Sequence, residues 1–347
     1  MSGTWEKQNK VIPGAYINVR TNEPLRITPG ERGTVMMLME MSVGTDGQIY
    51  NVTAQESDLP AAATVEDKKL ITEALKKAKT IKVYKLPATH TQENVEAALK
   101  AIKTEKWDVL CYPYDRKGDD AVKGIIATFV KTMTDDEGVK IQAVLANYAG
   151  DYEGIINVVQ GIILSGNEKL TASQTTAWVA GATAGATMYT SNTGMLYEGA
   201  VDVDPRMTKT EMETAIKGGK LIFKVDSSQN VTVVYDINSL TTVTTDKGQI
   251  FTKNRVIRTI YGIANDVASI FESNYIGKTN NNEEGRSLLK AALVDYFNTL
   301  QTLGAIQNFE TDDITISEGD AIDAVVVTIA IQPVDSIEKI YITVNLS

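Results

Sequence analysis

Predicted strands and helices alternate through the second quarter of the chain. Short apolar runs predict strands at 81–84, 107–112 and 139–145. Apolar residues at helical spacing predict helices between them, at 93–103 and 119–133. Strands that alternate with helices in this way are typical of a parallel sheet covered by helices. The sequence therefore predicts an α/β region in this part of the chain.

The second half of the chain changes character. Residues 171–188 are largely Ala, Gly and Thr, which predicts a helix that another backbone can approach closely. The strongest helical patterns cover 255–275 and 283–303, and a β run follows at 324–331. Residues 250–347 are therefore predicted to form an α+β unit.

Both ends of the chain have the pattern of apolar strands beside a turn or breaker, at 11–19 and 338–345. Chain ends fray unless they are held, so each strand needs a partner in this chain or in a neighbouring one. A sheet within the chain and an exchange of strands between subunits both satisfy this need. The candidate residues for such pairing are Tyr16, Ile17, Val19, Ile340, Ile342 and Val344.

Charge and cysteine content exclude several classes of protein. The 347 residues carry a formal net charge of -10 at a pI near 4.9 without a Lys/Arg-rich run, which argues against nucleic-acid binding. Residues 1–33 are mildly basic and residues 305–347 are acidic, so these segments of neighbouring subunits can attract each other. The single cysteine, Cys111, excludes an intramolecular disulfide and is predicted to be a buried thiol.

No stretch of the sequence is long and apolar enough to predict a transmembrane span, and the N-terminus has no apolar signal region. We therefore expect synthesis in the cytoplasm without a signal peptide, and no membrane insertion. Release by cell lysis is compatible with this expectation.

No motif for catalysis or for a cofactor or metal survives inspection. The only histidine, His90, has no Gly-x-Ser-x-Gly partner and is predicted to be a loop residue without a role. The segment 277–279 lacks the first glycine of a P-loop, and 202–213 has Met207 where a calcium loop needs glycine. We expect no enzyme, cofactor or metal. The alternative is an α/β hydrolytic or ligand-binding enzyme that uses the crevice at the strand ends.

Six motifs in one order along the chain resemble the contractile-tail sheath protein of phages and phage-tail-like bacteriocins, of the type found in Gram-positive bacteria. Each motif alone is weak, but their common order is specific. They lie at residues 12–16, 178–181, 236–242, 253–258, 275–280 and 332–341.

The resemblance implies an α/β plus α+β fold class with a subtilisin-like central domain and exchanged terminal strands. The likeness to subtilisin concerns the fold only, since no triad motif is present. The implied parts are an N-terminal arm at 1–20, a small β-rich domain at 21–90, the subtilisin-like sheath domain at 91–243, an α+β domain at 244–332 and a C-terminal arm at 333–347.

The resemblance also implies an assembly. Subunits would stack as hexameric rings around a tail tube and contract to drive the tube through a cell envelope. Implied partners are neighbouring sheath subunits, the tail tube protein, and baseplate and tail terminator proteins, within a virion tail or a released phage-tail-like particle. A small polar surface would face the tube, through helices 255–275 and 283–303 or the turn between them. We favour helix 283–303 with its turn, at Glu283 and Glu284.

Overall fold

The computed structural model describes residues 29–30 and 32–344. Most of its strands are short. In chain order they are β1 Thr34–Glu40, β2 Ile49–Thr53, β3 Thr80–Leu86, β4 Val109–Cys111, β5 Gln142–Ala146, β6 Ile155–Val158, β7 Gly161–Leu164, β8 Lys169–Leu170, β9 Ala200–Asp204, β10 Lys220–Leu221, β11 Phe223–Val225, β12 Val231–Val233, β13 Ile306–Gln307, β14 Ile314–Glu318, β15 Val325–Ile329 and β16 Gln332–Pro333.

Several helices begin at a threonine whose side chain accepts a hydrogen bond from the first turn. The threonines in this role are Thr64, Thr91, Thr171 and Thr208. In chain order the helices are α1 Val65–Leu75, α2 Gln92–Ile102, α3 Asp119–Asp135, α4 Ala172–Gly185, α5 Lys209–Lys217, α6 Asn254–Ile270 and α7 Glu283–Thr302.

A seven-stranded sheet crosses the centre of the protein in the order β10-β6-β5-β4-β1-β3-β2. All neighbouring strands are parallel except β2, which runs antiparallel to β3. Within β1, Val35 lies opposite Ile81 on one side and Val109 on the other. The carboxyl ends of β1 and β4 therefore meet at one edge of the sheet.

The first three strands lie in the same sheet as the strands that follow. Strands β1, β2 and β3 join β4, β5, β6 and β10. Strand β1 shares its backbone hydrogen bonds with β3 and β4 on its two sides. The expectation of a mixed α/β fold is confirmed, and the predicted domain boundaries stay predictions.

Apolar side chains fill both faces of the sheet, which is why its strands are continuously hydrophobic. Val35 and Met37 of β1 point into one core with α1 and α4, which contributes Trp178. Met36 and Leu38 point into the opposite core with α2 and α3. The alternation along β1 thus serves two cores at once.

The helix rich in small residues, α4, packs closely against α1. A Cβ atom added at Gly181 would lie 2.2 Å from the carbonyl oxygen of Ala74, and one at Gly185 would lie 2.0 Å from that of Lys77. Both contacts are with backbone, so no side chain could move aside. The close approach predicted for residues 171–188 is confirmed.

Asp67 connects the end of β1 to the start of α1. Its carboxylate accepts hydrogen bonds from the N–H and hydroxyl of Ser42, at 2.7 and 2.6 Å, and from the Thr64 N–H at 2.9 Å. Burial alone would raise the pKa of Asp67, but the hydrogen bonds from Ser42 and Thr64 outweigh it and lower the pKa to about 2.

The last hundred residues form a third core from α6, α7 and the hairpin β14–β15. Tyr296, Phe297 and Leu300 of α7 are fully buried there, and Ile314 of β14 packs on them. Helix α6 continues into a π-helical turn at Phe271–Tyr275. The predicted helices at 255–275 and 283–303 are confirmed, as is a β run within 324–331.

Candidate functional site

Residues 340–344 form an exposed apolar segment that we call the free arm. In the isolated chain the structure places these residues in no strand, and the strand predicted at 338–345, which needs a partner, stays a prediction. Ile340 is 77% exposed, Tyr341 90%, Ile342 74% and Val344 76%. A strand forms only when a second strand accepts its hydrogen bonds, and none does so in the described part of the chain. A contiguous apolar segment left exposed is typical of an interaction site.

The chain just before the free arm is held on the third core. Strand β16 pairs antiparallel with β13, so that Pro333 lies opposite Ile306. One residue later, the N–H of Val334 donates to the carbonyl oxygen of Ala305 at 3.0 Å. The fixed backbone of the subunit therefore extends at least to residue 334.

Glu338 holds the chain just before the free arm, and the Nζ of Lys339 lies 5.8 Å from the ring centroid of Tyr235. The Glu338 side chain is 7% exposed and forms an ion pair with Lys253. Its Oε1 also accepts hydrogen bonds from the hydroxyls of Thr193, at 2.6 Å, and Ser191, at 3.3 Å. A buried carboxylate persists only with such partners, because its loss of hydration is otherwise uncompensated.

Lys253 is shared between two acids and an aromatic ring. Its Nζ lies 3.1 Å from Asp335 and 3.8 Å from the ring centroid of Tyr235, in addition to the contact with Glu338. Burial acts to lower the pKa of Lys253, but the hydrogen bond and charge of Glu338 outweigh it and raise that pKa. Lys253 is thus charged and fixed.

A second buried cluster of hydrogen bonds is centred on Asp236. It connects the contact between Glu338 and Lys253 to both domains. The Asp236 carboxylate accepts hydrogen bonds from Arg258 at 2.7 Å, Asn254 at 2.9 Å and the Asn192 N–H at 2.9 Å. The Asp236 N–H donates to Thr193 Oγ1 at 2.9 Å, and the same hydroxyl contacts Glu338. Arg258 is fully buried. The root of the arm is therefore hydrogen-bonded to the junction of the two domains.

Three of the six sequence motifs meet at this junction. They contribute Asp236, then Lys253, Asn254 and Arg258, and finally Glu338. Sequence reasoning used these segments for the resemblance but gave their charged residues no role. The available signal was the presence of charged side chains inside short, otherwise apolar motifs.

The hairpin β14–β15 presents an open edge that fits an added strand. The Ala330 N–H donates to Asp313 at 3.0 Å, and the Gly319 N–H donates to Ala324 at 3.0 Å. Because hydrogen-bonded pairs alternate along an antiparallel ladder, the backbone groups of residues 325, 327 and 329 point away from β14. In the part of the chain that the structure describes, no third strand pairs with them.

Glu283 and Glu284, expected to face a partner, are exposed in the first turn of α7. Negative charges are favourable there because of the helix dipole. The surface around them is less polar than predicted: Ile276 is 56% exposed and Ile322 95%. Asn281 connects the two sides by donating to the carbonyl oxygen of Ile322 at 2.9 Å.

The crevice at the carboxyl ends of β1 and β4 is where an α/β enzyme would bind its substrate. The His90 side chain is 1% exposed there, with Nδ1 2.7 Å from Glu40 and Nε2 2.8 Å from the Tyr112 hydroxyl. Arg116 contacts both carboxylate oxygens of Glu40, at 3.0 and 2.8 Å. Burial acts to raise the pKa of Glu40, but hydrogen bonds from Arg116 and His90 lower it overall. The prediction that His90 has no role is wrong, since it joins two strand ends.

The thiol of Cys111 is also unavailable for catalysis. Cys111 is fully buried, and burial raises the pKa of its thiol to about 12. Among residues 29–30 and 32–344, no group of three His, Cys, Asp or Glu side chains is placed to hold a metal ion. Within the same residues, no helix is both long and apolar enough to cross a membrane.

Comparison with known proteins gives matches along most of the chain. The family model described as the phage tail sheath protein central domain matches residues 88–239, and that of the phage tail sheath C-terminal domain matches 246–347. The phage-like element PBSX protein XkdK of Bacillus subtilis (strain 168) is 38% identical over 257 residues, which are 72% of this chain and 55% of that protein. The chain thus spans about half the length of this curated relative.

Solved structures agree with these matches. A sheath tail protein from Desulfitobacterium hafniense is 32% identical, with a TM-score of 0.82 over 95% of this chain and 99% of that one. The helical sheath of the anti-feeding prophage in its contracted state gives a TM-score of 0.75 at 14% identity, over 97% of this chain and 99% of that one. The second match shows the fold alone.

The predicted resemblance is confirmed by the match over the whole length of a solved relative. The family is structural, which confirms the expectation that the chain is not an enzyme, and the alternative of a hydrolytic or ligand-binding enzyme is not favoured. The chain belongs to the phage tail sheath family.

Proposed function

We propose that this chain is the subunit of a contractile tail sheath. Its copies polymerise as stacked rings of six around a tail tube, and contraction drives the tube through a target envelope. The observation that carries the proposal is the free arm, an exposed apolar segment on a member of the sheath family. Such a segment is stabilised when it adds as a strand to another copy.

Strand exchange joins the subunits in this proposal. The free arm, with Ile340, Ile342 and Val344 on one face, adds to an open edge of a hairpin β14–β15 in another copy. Each backbone hydrogen bond formed contributes about 0.5–1.5 kcal/mol, and burial of the apolar face adds to it. The N-terminal arm at 1–20, with Tyr16, Ile17 and Val19, supplies a further exchanged strand, and these residues lie outside the described part of the structure.

The central region carries the subtilisin-like fold of the family in this proposal. The seven-stranded, largely parallel sheet with helices on both faces supports it. The α+β domain at 244–332 then forms the inner part of the sheath, and the arm at 333–347 leaves from it.

The partners are other copies of this chain, the tail tube protein, and baseplate and tail terminator proteins. The polymer belongs to a virion tail or to a released phage-tail-like particle. The tube contact lies at the first turn of α7, where Glu283 and Glu284 are exposed. Because the tube must slide, this contact is small for each subunit. Glu283→Lys with Glu284→Lys should lower tube occupancy, and unchanged occupancy would place the contact elsewhere.

Deletion tests the exchange of strands. A chain that ends at residue 338 should remain a folded monomer, because the segment it loses makes few contacts within the subunit. The same chain should form no tubes under conditions where the full chain does, as judged by electron microscopy. Normal tubes from the shortened chain would refute exchange of the C-terminal strand.

A further inference from the structure

The boundary between the fixed subunit and the free arm falls between Glu338 and Ile340. Glu338 is nearly buried, while Ile340, two residues later, is 77% exposed. Between Val334 and Glu338 the chain is held mainly through side chains: Asp335 contacts Lys253 at 3.1 Å, and Ser336 donates to Glu338 at 3.2 Å. The hold on this segment therefore depends on charged and hydroxyl groups rather than on a strand ladder.

We propose that Glu338, clamped by Lys253 and Thr193, is the anchor that fixes the point where the C-terminal arm leaves the subunit. This inference rests on the proposed exchange of strands between copies. Glu338 acts as a positioning residue, since its contacts with Lys253 and Thr193 lie within its own subunit. Its role is to hold the chain up to residue 338, so that only the residues after it are free to bind a partner.

The anchor limits the reach of the arm. Val344, the last apolar residue of the free arm, lies six residues after Glu338, which corresponds to at most about 20 Å when the chain is fully extended. If Glu338 were released, the unfixed segment would begin after Val334 and gain four residues. Each of them would have to be ordered again when the arm binds, and the arm would search a larger volume. The edge that accepts residues 340–344 in the next copy must therefore lie within about 20 Å of the anchor.

The contact of the anchor with both domains gives it a mechanical role. Thr193 accepts a hydrogen bond from the Asp236 N–H and donates one to Glu338, while Lys253 immediately precedes α6. A pull on the arm is thus transmitted to the central domain through Thr193 and to the C-terminal domain through Lys253. Both domains therefore move together with the linked neighbouring copy, and the arm does not detach from either domain.

A neutral variant of nearly the same shape tests the anchor. In the isolated subunit, Glu338→Gln should leave the chain folded, because the arm root lies outside the three apolar cores and Asp335 still contacts Lys253 at 3.1 Å. It should lower the NMR order parameters of the backbone at 335–338 from about 0.85 to below about 0.6. Glu93→Gln is the matched control, since it removes one negative charge from an exposed site on α2. Unchanged order parameters at 335–338 in the Glu338 variant would overturn the proposal.

Assembly gives the second readout. The critical concentration for tubes of Glu338→Gln should rise at least tenfold over that of the Glu93→Gln control. If the full chain forms tubes and both variants assemble equally well, the anchor is refuted while the sheath function stands. If the full chain forms no tubes at all, the sheath function fails, and the backbone order parameters of the isolated subunit still decide whether Glu338 holds the arm root.

Discussion

The two faces of the free arm predict different effects of substitution. Ile340 and Ile342 share one face of an extended chain, and Tyr341 lies on the other. We expect Ile340→Thr with Ile342→Thr to block assembly, and Tyr341→Thr to have a much smaller effect. Threonine keeps the preference for extended backbone, so the first variant changes mainly the apolar contact.

The size of the effect follows from exposure in the free subunit. Ile340 and Ile342 are 77% and 74% exposed, so almost all of their apolar surface is still available for burial on assembly. Complete burial of one such side chain contributes about 1.5–3 kcal/mol. Taking the lower value for each, the pair contributes about 3 kcal/mol for each arm, which corresponds to roughly a hundredfold change in critical concentration.

The assay is sedimentation of tubes over a range of protein concentrations, with the melting temperature of the monomer as a check on folding. Neither variant should alter the monomer, because Tyr341 is 90% exposed and the isoleucines are nearly as open. Equal critical concentrations for the double variant and for Tyr341→Thr would refute the assignment of a buried face to the arm.

Three further predictions concern the central fold. Gly181→Ala should lower the unfolding free energy by at least about 2 kcal/mol, because the added Cβ would clash with backbone atoms. Gly124→Ala on α3 would place its Cβ 3.7 Å from the nearest atom, so it should raise the unfolding free energy by about 0.5–1 kcal/mol. Similar unfolding free energies of the two variants in chemical denaturation would contradict the packing argument. His90→Ala should lower the unfolding free energy by about 2–4 kcal/mol, because it leaves Glu40 and the Tyr112 hydroxyl without their buried partner. The same variant should abolish no hydrolase activity. Unchanged stability, or a lost activity, would count against a structural role of His90. The pKa of Asp67 is about 2 in the folded chain against an ordinary value of 3.8, so its carboxylate contributes stability above pH 4 that is lost as the pH falls toward 2. Asp67→Asn should therefore reduce the loss of unfolding free energy in acid by roughly 2 kcal/mol. An unchanged dependence of the unfolding free energy on pH would contradict this role of Asp67.

The sequence predicted elements where a local pattern decides the structure. The strands and helices between residues 81 and 145 were found within a few residues, because a sheet buried on both faces requires continuous apolar runs. The helix over 171–188 was found for a similar local reason: its small residues leave room for the backbone of α1.

Contacts between distant residues were not predictable from one sequence. His90 lies 50 residues from Glu40 in the chain, and Lys253 lies 85 residues from Glu338. Neither pair has a local pattern, because ion pairs depend on where the fold brings two side chains together. The pairing of β1 with β4 was not predicted for the same reason, since it joins segments that are more than 70 residues apart.

The predicted strand at 338–345 shows a different limit. Alternating Ile340, Ile342 and Val344 express a preference for extended backbone, but a strand also needs a partner for its hydrogen bonds. The pattern was therefore informative about assembly rather than about the isolated subunit. Glu338 lies where the chain changes from a segment fixed within the subunit to a segment available for assembly.

The central claim is that the free arm binds another copy of the chain within a sheath. A reconstruction of the purified assembly by electron cryomicroscopy tests it most directly. The account predicts a helical tube of stacked rings in which residues 340–344 of one copy form a strand beside the hairpin β14–β15 of a different copy. Discrete particles of a few copies, or an arm paired only with its own chain, would contradict it.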